Sequence, residues 1–406
     1  MKIQKIIKWG LLICATASIV GTASAGFLTL LDFVTQIRLK NVWFIYSLPL
    51  IGLLVNFIYL KINPSLNNGN EYVIRDFFND TEDKKPIPIA LAPLVFIGTI
   101  LTHLGGGSAG REGTAVQMGA SIASQFNRWT NLDKPAQRLL TCIGVSAGFA
   151  AVFGTPLAAS IFALEFFSFK KTKRYFILPT ILTAYLAHWI CLSWGIEHAN
   201  YNIVAFNDYS IQTIGWIGVA GLIFGITALL YLISSQLFTS IFSSIQYTPF
   251  RTFIGGILIA AIILFTHQEK FSGLGLTSIQ DAFIHPQGNW DFLLKLLLTS
   301  LTLSVGFKGG EVTPLFFIGA VLGSMLIAFI PLPISLLAGL GLVAVFAGAT
   351  HCLVSSMLLG IELFGVQYTL YIILACTIAY LFSGAKNIYL GRPNGWIKEK
   401  IQSYFL

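Results

Sequence analysis

Charge is what this chain of 406 residues has least of. Asp, Glu, Lys and Arg together make up 10% of it, whereas soluble domains carry about 25%. Apolar residues reach 55%, mean hydropathy is +0.76, and residues 314–346 contain no charge at all. Because about 20 mostly apolar residues cross the hydrocarbon of a bilayer, the sequence predicts an all-α integral membrane protein and excludes a soluble protein with a large core.

Signatures of metal, disulfide and enzyme chemistry are also missing. The five cysteines have neither disulfide nor metal-ligand spacing, so we expect ordinary core cysteines, no metal and no cofactor. A His-Glu-x-x-His zinc motif is absent, and we expect no Gly-x-Ser-x-Gly nucleophile elbow. We therefore expect no enzyme; an intramembrane enzyme with Glu112 as a base beside Ser108 is the alternative from a different class.

The net charge of +8 does not form a nucleic-acid surface, because Lys and Arg cluster at the ends of apolar runs. The clusters lie at residues 2–8, 170–174 and 398–400. Short loops rich in Lys and Arg face the cytoplasm. We expect a multi-pass protein of the cell inner (plasma) membrane, with both termini and the loop near 170 in the cytoplasm and no nucleic acid as a partner.

The first 25 residues have two interpretations. A basic opening, an apolar stretch and small residues at 22–25 resemble a cleavable secretion signal. The apolar stretch continues to Val34, however, and only Asp32 interrupts it. We therefore expect an uncleaved first membrane helix.

Apolar runs predict where the helices lie. Glycine and proline interrupt these runs at 154–156 and 331–333, and runs 252–266 and 292–305 are too short for an upright crossing. Tilted and broken helices are thus expected in a single transmembrane domain that spans 1–406, with no separate soluble domain. The runs are 8–35, 42–60, 86–104, 139–166, 174–195, 211–238, 252–266, 292–305, 314–350 and 353–382.

Two glycine-rich loops recur within this apolar sequence. The first is GGSAGREGT at 106–114 and the second is GFKGGEVTP at 306–314, so that Gly110 and Gly310 are 200 positions apart. Small-residue helices follow at 147–167 and 344–365, and their Glu165 and Glu362 are 197 positions apart. We expect two structural repeats, about 1–195 and 211–390, and paired glycine breaks of this kind indicate a binding site in transporters.

The first loop offers backbone N–H groups and the positive end of a helix to an anion. Glu112 lies in that loop, and its carboxylate can itself occupy an anion position. Once protonated it is neutral and can leave, so that one group couples an anion to a proton. The alternative is a carboxylate that Arg111 merely neutralises.

The loop residues also carry a family resemblance. GREG at 110–113, AGFAAVFGTPLAASIFALE at 147–165, GGEVTP at 309–314 and Tyr389 in AKNIY resemble the CLC family of chloride channels and anion/proton exchangers, collinearly over nearly the whole chain. The resemblance implies the CLC fold with inverted repeats and a homodimer with a pore in each subunit. It implies that Glu112 is the external gate, and that the anion is bound by Gly110, Arg111, Gly113, Val312, Thr313 and Tyr389.

Four departures are similar to the fluoride-exporting branch of that family. Thr114 replaces the usual proline, the serine-bearing Gly-Ser-Gly-Ile-Pro motif is missing at the window 67–72, and Phe166 stands where exchangers have an internal proton-transfer glutamate. Glu311, Val312 and Thr313 replace an apolar triplet. The resemblance implies a secondary transporter that exports fluoride in exchange for protons, with a chloride channel or chloride/proton exchanger as the alternative.

Several residues keep two interpretations at this point. Thr313 and Asn70 offer donors to fluoride, or each caps a helix. Glu311 relays protons, pairs with Lys308 or accepts loop N–H bonds. Tyr389 lines the pore or belongs to an interfacial aromatic belt. Structural anchoring is expected of Glu165 and Glu362, and hydrogen-bonded histidines of His103 and His351.

Overall fold

The computed structural model describes residues 2–79, 86–130, 132–169, 171–266, 269–392 and 398. Within these residues 17 α-helices follow one another and no strand is present, which confirms the all-α class. The helices are α1 (Lys2–Lys40), α2 (Leu48–Ile62), α3 (Gly69–Phe78), α4 (Leu91–Leu104), α5 (Glu112–Ser124), α6 (Asn127–Thr130), α7 (Lys134–Phe153), α8 (Pro156–Phe166), α9 (Ile177–Ser193), α10 (Ile211–Ser243), α11 (Thr248–Thr266), α12 (Leu276–Ala282), α13 (Asp291–Ser304), α14 (Val312–Met325), α15 (Ile334–Thr350), α16 (Leu353–Phe364) and α17 (Thr369–Phe382).

Six helical segments of the described chain are long and apolar enough to cross a membrane. Others, such as α4, α8 and α16, have 10–17 residues, so they reach only part of the way through the hydrocarbon. The structure therefore has the mixture of long and short helices that the sequence predicts. The six segments are Ile3–Lys40, Val42–Ile62, Lys134–Phe153, Arg174–Ser193, Ile211–Ser243 and Thr248–Thr266.

Helix breaks fall at both predicted positions. Gly154 ends α7 at φ 88°, a left-handed conformation that glycine adopts without strain. The Pro331 to Pro333 segment separates α14 from α15. A third break, at Gly365 with φ 102°, divides the predicted run 353–382 into α16 and α17.

One of the two predictions about helix length was wrong. The run 252–266 belongs to the 19-residue α11, because Thr248, Pro249 and Arg251 add a polar first turn that hydropathy alone does not include. The run list also omits α5, whose first half carries Glu112, Thr114 and Gln117. The shortness of 292–305 is confirmed by the 14-residue α13.

The N-terminal helix α1 runs without a break through the small residues at 22–25 and past Asp32. Part of the predicted topology depends on Lys170 and on residues 399–406, which include Lys400. These residues lie outside the described part of the chain. Cys14 is exposed on α1, whereas Cys142, Cys191, Cys352 and Cys376 are buried. The core prediction is therefore wrong for Cys14 and confirmed for the other four.

Each half of the chain repeats one packing motif. Helix α5 lies against α7, and α14 lies against α15, through glycines that leave no room for a side chain. A Cβ on Gly119 would lie 2.0 Å from the carbonyl oxygen of Gly144, and a Cβ on Gly319 would lie 2.1 Å from that of Gly341. Small residues allow such close approach between membrane helices.

Helices α8 and α16 cap each other. The Glu165 carboxylate near the end of α8 accepts bonds from Val354 N at 3.1 Å and Ser355 N at 2.7 Å, in the first turn of α16. The Glu362 carboxylate near the end of α16 accepts from Leu157 N at 3.0 Å and Ala158 N at 2.7 Å, in the first turn of α8. These bonds satisfy helix N-termini that would otherwise lack acceptors, and they confirm the anchoring prediction.

Both predicted histidines are hydrogen-bonded. The His103 ring nitrogens lie 2.8 Å from Thr99 O and 3.0 Å from Ala109 O, which holds the end of α4 against the first loop. His351 ends α15 with φ 56°, and its Nε2 lies 3.4 Å from Ser383 Oγ.

Candidate functional site

The two glycine loops meet at the centre of the fold. Gly110 N donates to Gly310 O at 2.6 Å, and Gly310 N donates to Gly110 O at 2.9 Å. A Cβ on Gly310 would lie 2.6 Å from Gly113 N, so the approach requires glycine. Helices α5 and α14 both begin within two residues of this bridge, and their first N–H groups have no helical acceptor. Two positive helix ends thus converge on one point.

Glu112 fills that point. Its side chain is fully buried, and Thr313 provides most of its contacts. Thr313 Oγ1 lies 2.8 Å from Oε1 and 2.6 Å from Oε2, and Thr313 N donates to Oε2 at 3.1 Å. Arg111 N donates to Oε2 at 3.3 Å. The carboxylate therefore occupies a set of donors that suits a small anion.

Arg111 neutralises this carboxylate only in part. Its Nε lies 3.6 Å from Glu112 Oε1, and 14% of its side chain is exposed. Arg111 also lines a separate cavity. The structure thus contains the ion pair of the neutralisation alternative, but the shorter Thr313 contacts show that Arg111 is not the only partner of Glu112.

Thr313 settles one of the open interpretations. Its hydroxyl donates to a carboxylate of the other half of the chain, not to its own helix, so the helix-cap alternative is wrong. The neighbouring Val312 is buried in the core. The position of Val312 is compatible with a wall residue beside Thr313, and its role in anion binding stays a prediction.

A cavity of about 220 Å³, called here the Tyr389 cavity, lies beside this central point. It brings together Asn70, Glu311 and Tyr389, three of the predicted site residues that are far apart in sequence. A Cβ on Gly113 would lie 3.2 Å from Asn70 Nδ2, which connects the cavity to the Glu112 loop. Gln117, one turn along α5 from Gly113, also lines it.

Asn70 lies within the first turn of α3, after Asn68 at the cap position, and that cap makes no side-chain hydrogen bond. The cap interpretation of Asn70 is therefore wrong. Its Oδ1 is buried and has no hydrogen-bond partner among the described residues. The amide is free to turn toward a ligand in the cavity.

Glu311 also faces the Tyr389 cavity. Its Oε2 is buried and has no hydrogen-bond partner in the described part of the chain. The predicted pairing with Lys308 is wrong, because the Lys308 ammonium donates to Asn67 O at 3.4 Å and to Asn67 Oδ1. A carboxylate oxygen buried without a cation is costly in the membrane, which makes Glu311 a candidate functional group. Proton relay and acceptance of loop N–H bonds both stay predictions for this residue.

Tyr389 is 4% exposed, which contradicts the interpretation as a belt residue. Its ring lies 4.8 Å from that of Phe166 and 6.2 Å from that of Phe162, centroid to centroid, both edge-on. Phe166 thus packs against the tyrosine at the cavity wall.

A second cavity of about 230 Å³, the Arg111 cavity, shares no lining residue with the first. The sequence reasoning missed it, because its charged lining joins Arg111 of the first loop to residues from α1 and from the segment before α12. No local spacing indicates that these segments meet. The charged lining consists of Asp32, Arg38, Arg111, Glu269 and Lys270.

Hydroxyl pairs explain two other loop residues. Thr114, which stands where the resemblance expects a proline, forms a hydrogen bond with Thr99 at 2.7 Å between the hydroxyl oxygens. Ser108 stands in a Gly-x-Ser-x-Gly spacing, but the residue follows a helix instead of a strand. Its hydroxyl lies 2.9 Å from Thr299 Oγ1. The described residues hold no group of three or more His, Cys, Asp and Glu suited to a metal ion.

The sequence matches known membrane proteins along most of its length. A family model described as voltage gated chloride channel matches residues 79–384. The chain is 39% identical over 401 residues to a chloride/fluoride channel protein of Pseudomonas syringae pv. tomato, a match that covers 97% of this chain and 88% of the relative. It is 28% identical over 305 residues to the voltage-gated ClC-type chloride channel ClcB of Escherichia coli, with 71% of each chain covered.

Solved structures agree. The fold superposes on the crystal structure of a CLC-type fluoride/proton antiporter with a TM-score of 0.91 and 35% identity, covering 95% of this chain and 98% of the other. A slow cyanobacterial Cl-/H+ antiporter gives a TM-score of 0.79 at 19% identity, covering 97% of each chain. Paired broken helices around a buried carboxylate define an ion-transport protein of the membrane. The chain belongs to the CLC family.

Proposed function

We propose that this protein is a secondary transporter that exports fluoride in exchange for protons. One observation carries the proposal: the Glu112 carboxylate sits where two helix N-termini and the Thr313 hydroxyl converge, a position built for a small anion. Two of the relatives support the ion, since one is named for chloride and fluoride and the other for fluoride and protons.

The exchange follows from competition for that position. As a carboxylate, Glu112 blocks the path by holding the donors of Thr313 and Arg111 N. A proton arriving from the Arg111 cavity makes the side chain neutral, the interaction with the donors weakens, and the side chain leaves. A fluoride ion from the Tyr389 cavity then takes the donors. When Glu112 releases its proton toward the Tyr389 cavity and returns, it displaces the fluoride toward Arg111.

Fluoride over chloride is favoured by the donor types. Fluoride is small and strongly hydrated, so its site needs short, strong donors to replace lost water. Thr313 Oγ1 already makes contacts of 2.6 to 2.8 Å to an anionic oxygen, and the Asn70 amide lies beside the same loop. A chloride channel or chloride/proton exchanger is the second candidate, because ClcB and the cyanobacterial antiporter carry those names.

We assign Glu311 the inner half of the proton route. Its unpartnered Oε2 faces the Tyr389 cavity, and a carboxyl group in a wet cavity can accept a proton from Glu112 and pass it to water. The Phe166 side chain cannot accept or release a proton. Glu311 is therefore the proton acceptor of this cavity, since its carboxylate has no ion-pair partner among the described residues.

The sidedness follows from the basic residues. Helix α1 begins with Lys2, Lys5 and Lys8, and such clusters face the cytoplasm. Its other end carries Arg38, which lines the Arg111 cavity. We place the Arg111 cavity outside and the Tyr389 cavity inside, with both termini cytoplasmic in the cell inner (plasma) membrane.

The proposal includes the two structural repeats and the homodimer that the sequence predicts. Apart from the short α6, the sequence of long and short helices from α1 to α9 recurs in the same order from α10 to α17, which supports one domain of two repeats, about 1–195 and 211–390. One chain supplies Glu112, Thr313, Glu311 and Tyr389, so each subunit of the expected homodimer would have its own path. The protein would be a transporter and not an enzyme.

Proteoliposomes loaded with fluoride test the proposal. Fluoride efflux should acidify the lumen as protons enter, and chloride loaded at the same concentration should leave far more slowly. Fluoride efflux with no lumenal pH change once charge is balanced by a potassium ionophore would contradict exchange. Equal fluxes of the two anions would favour the chloride-type candidate.

A further inference from the structure

Lys308 is a buried ammonium without a carboxylate. Its residue is 8% exposed, and it is the one cation among the described residues that line the Tyr389 cavity. Its contacts are the Asn67 amide oxygen, the Asn67 carbonyl and the face of the Tyr59 ring at 4.4 Å. An ionisable group inside a membrane protein is expensive, and packing alone gives no reason for its charge.

Residues from α2 and α4 enclose the Lys308 side chain. A Cβ on Gly98 of α4 would lie 2.8 Å from Lys308 Cγ and 3.0 Å from its Cβ, so the stem passes where only glycine leaves room. Tyr59, from α2, is itself almost fully buried. Three elements from different parts of the chain thus hold one ammonium at the cavity wall.

The charges of the cavity explain why an ammonium is needed there. Two carboxylates line it, Glu71 and Glu311. Arg75 pairs with Glu71, whereas Glu311 has no cation within ion-pair distance among the described residues. Without Lys308 the cavity would carry one uncompensated negative charge and would repel an entering anion.

We propose that Lys308 binds the transported anion in the Tyr389 cavity before it reaches Thr313, an inference that rests on the proposed function. The ammonium has three donors, and two of its contacts are to Asn67. A small monovalent anion takes the place of Asn67 Oδ1 on the ammonium, while the amide groups of Asn70 and Gln117 provide further donors from the same cavity. Lys308 is thus a binding residue for the anion, and Asn67 is its competitor.

Flux against internal anion concentration tests this. We compare Lys308→Met, Lys308→Arg and the native protein in proteoliposomes, with Lys61→Met as the control, because Lys61 is exposed and lies over Phe57 outside the cavity. Lys308→Met should raise the half-saturating lumenal fluoride about tenfold or more, as a lost bond to an ion does, with the maximal rate kept. Lys308→Arg should restore it, and Lys61→Met should change nothing.

Asn67→Ala separates binding from damage. Without Asn67 Oδ1 as a competitor, the Lys308 ammonium should bind the anion more tightly. The half-saturating lumenal fluoride concentration should therefore fall by roughly two- to tenfold, a change that a misfolded variant would not show. An unchanged half-saturating concentration in folded Lys308→Met or in Asn67→Ala overturns the inference while the native exchange still stands. If the native protein carries chloride and not fluoride, only the proposed ion fails, and the same variants are measured with chloride.

Discussion

Arg111 and Glu311 occupy the same place in the two halves of the molecule. Each follows the glycine that forms the central bridge, Gly110 or Gly310, yet Arg111 lines one cavity and Glu311 lines the other. Equivalent backbone positions therefore carry a guanidinium cation at one cavity and a carboxylate at the other. The two loops share their backbone arrangement, and their side chains give the two cavities different charges.

The residues one position further extend this contrast. Glu112 follows Arg111 and fills the donor site, whereas the buried Val312 follows Glu311. Only the first loop thus contributes a carboxylate to the centre, and the second contributes the donors of Thr313 that receive it. An anion path with one gate needs a carboxylate from one loop only, since two carboxylates at the bridge would repel each other.

Breaking the shared scaffold should have the largest effect. Gly310→Ala places a Cβ 2.6 Å from Gly113 N, which separates the loops and removes the converging helix ends. We expect loss of both anion and proton flux, measured in proteoliposomes. Gly215→Ala is the control, because its Cβ would meet nothing within 4 Å. Normal flux in Gly310→Ala would show that the bridge is dispensable.

Removing the donor of the second loop comes next. Thr313→Val keeps the side-chain shape but lacks the hydroxyl that contacts Glu112. Because hydrogen bonds to charged groups are worth about 1.5–3 kcal/mol, fluoride binding should weaken roughly ten- to a hundredfold. Calorimetric titration with fluoride measures it, and Thr313→Ser should keep most of the affinity. Equal affinity of the valine variant would exclude Thr313 as a ligand.

Neutralising Glu311 tests the acid side of the contrast. Glu311→Gln should lower proton flux about a hundredfold, at the low end of what positioned proton-transfer groups contribute, while fluoride can still pass. Lumenal pH and fluoride are recorded together, so that a shifted ratio of the two fluxes identifies proton transfer. A fall of both fluxes in proportion would assign Glu311 to anion passage or to structure instead.

The smallest effect concerns the reciprocal caps, which are symmetric in structure and in expected role. Glu165→Gln and Glu362→Gln should each lower stability by about 1 kcal/mol, the usual worth of a charged group at a helix N-terminus, and should leave the flux ratio unchanged. Thermal unfolding in detergent measures this, with the exposed Glu197→Gln as control. A changed flux ratio in either variant would place that glutamate on the ion route.

Local patterns were enough to predict much of this molecule. Apolar runs predicted the membrane class, and paired glycines predicted two equivalent loops. That these loops meet in a bridge between Gly110 and Gly310 is a finding of the structure. The break at Gly365 was missed because only one glycine, with no proline, marks it. The list of apolar runs omitted α5, although the first loop was expected to lead into a helix, because the residues of α5 are buried among other helices instead of facing lipid.

Long-range contacts explain the remaining differences. Lys308 stands three positions before Glu311, which suggested an ion pair, but the loop between them directs the ammonium toward Asn67. The Arg111 cavity joins residues from α1 and from the segment before α12. The residue spacing within one of these segments does not predict that it contacts the other. Such groupings depend on tertiary packing, which one sequence does not reveal by periodicity.

The most direct test of the account is the lumenal pH of proteoliposomes during fluoride efflux, compared between the native protein and Glu112→Gln. Glutamine keeps the size of the side chain and carries no exchangeable charge. The account predicts acidification with the native protein and none with the variant, in which fluoride still leaves once a potassium ionophore balances the charge. Proton uptake by Glu112→Gln that keeps pace with fluoride efflux would contradict the claim that this carboxylate couples the two ions.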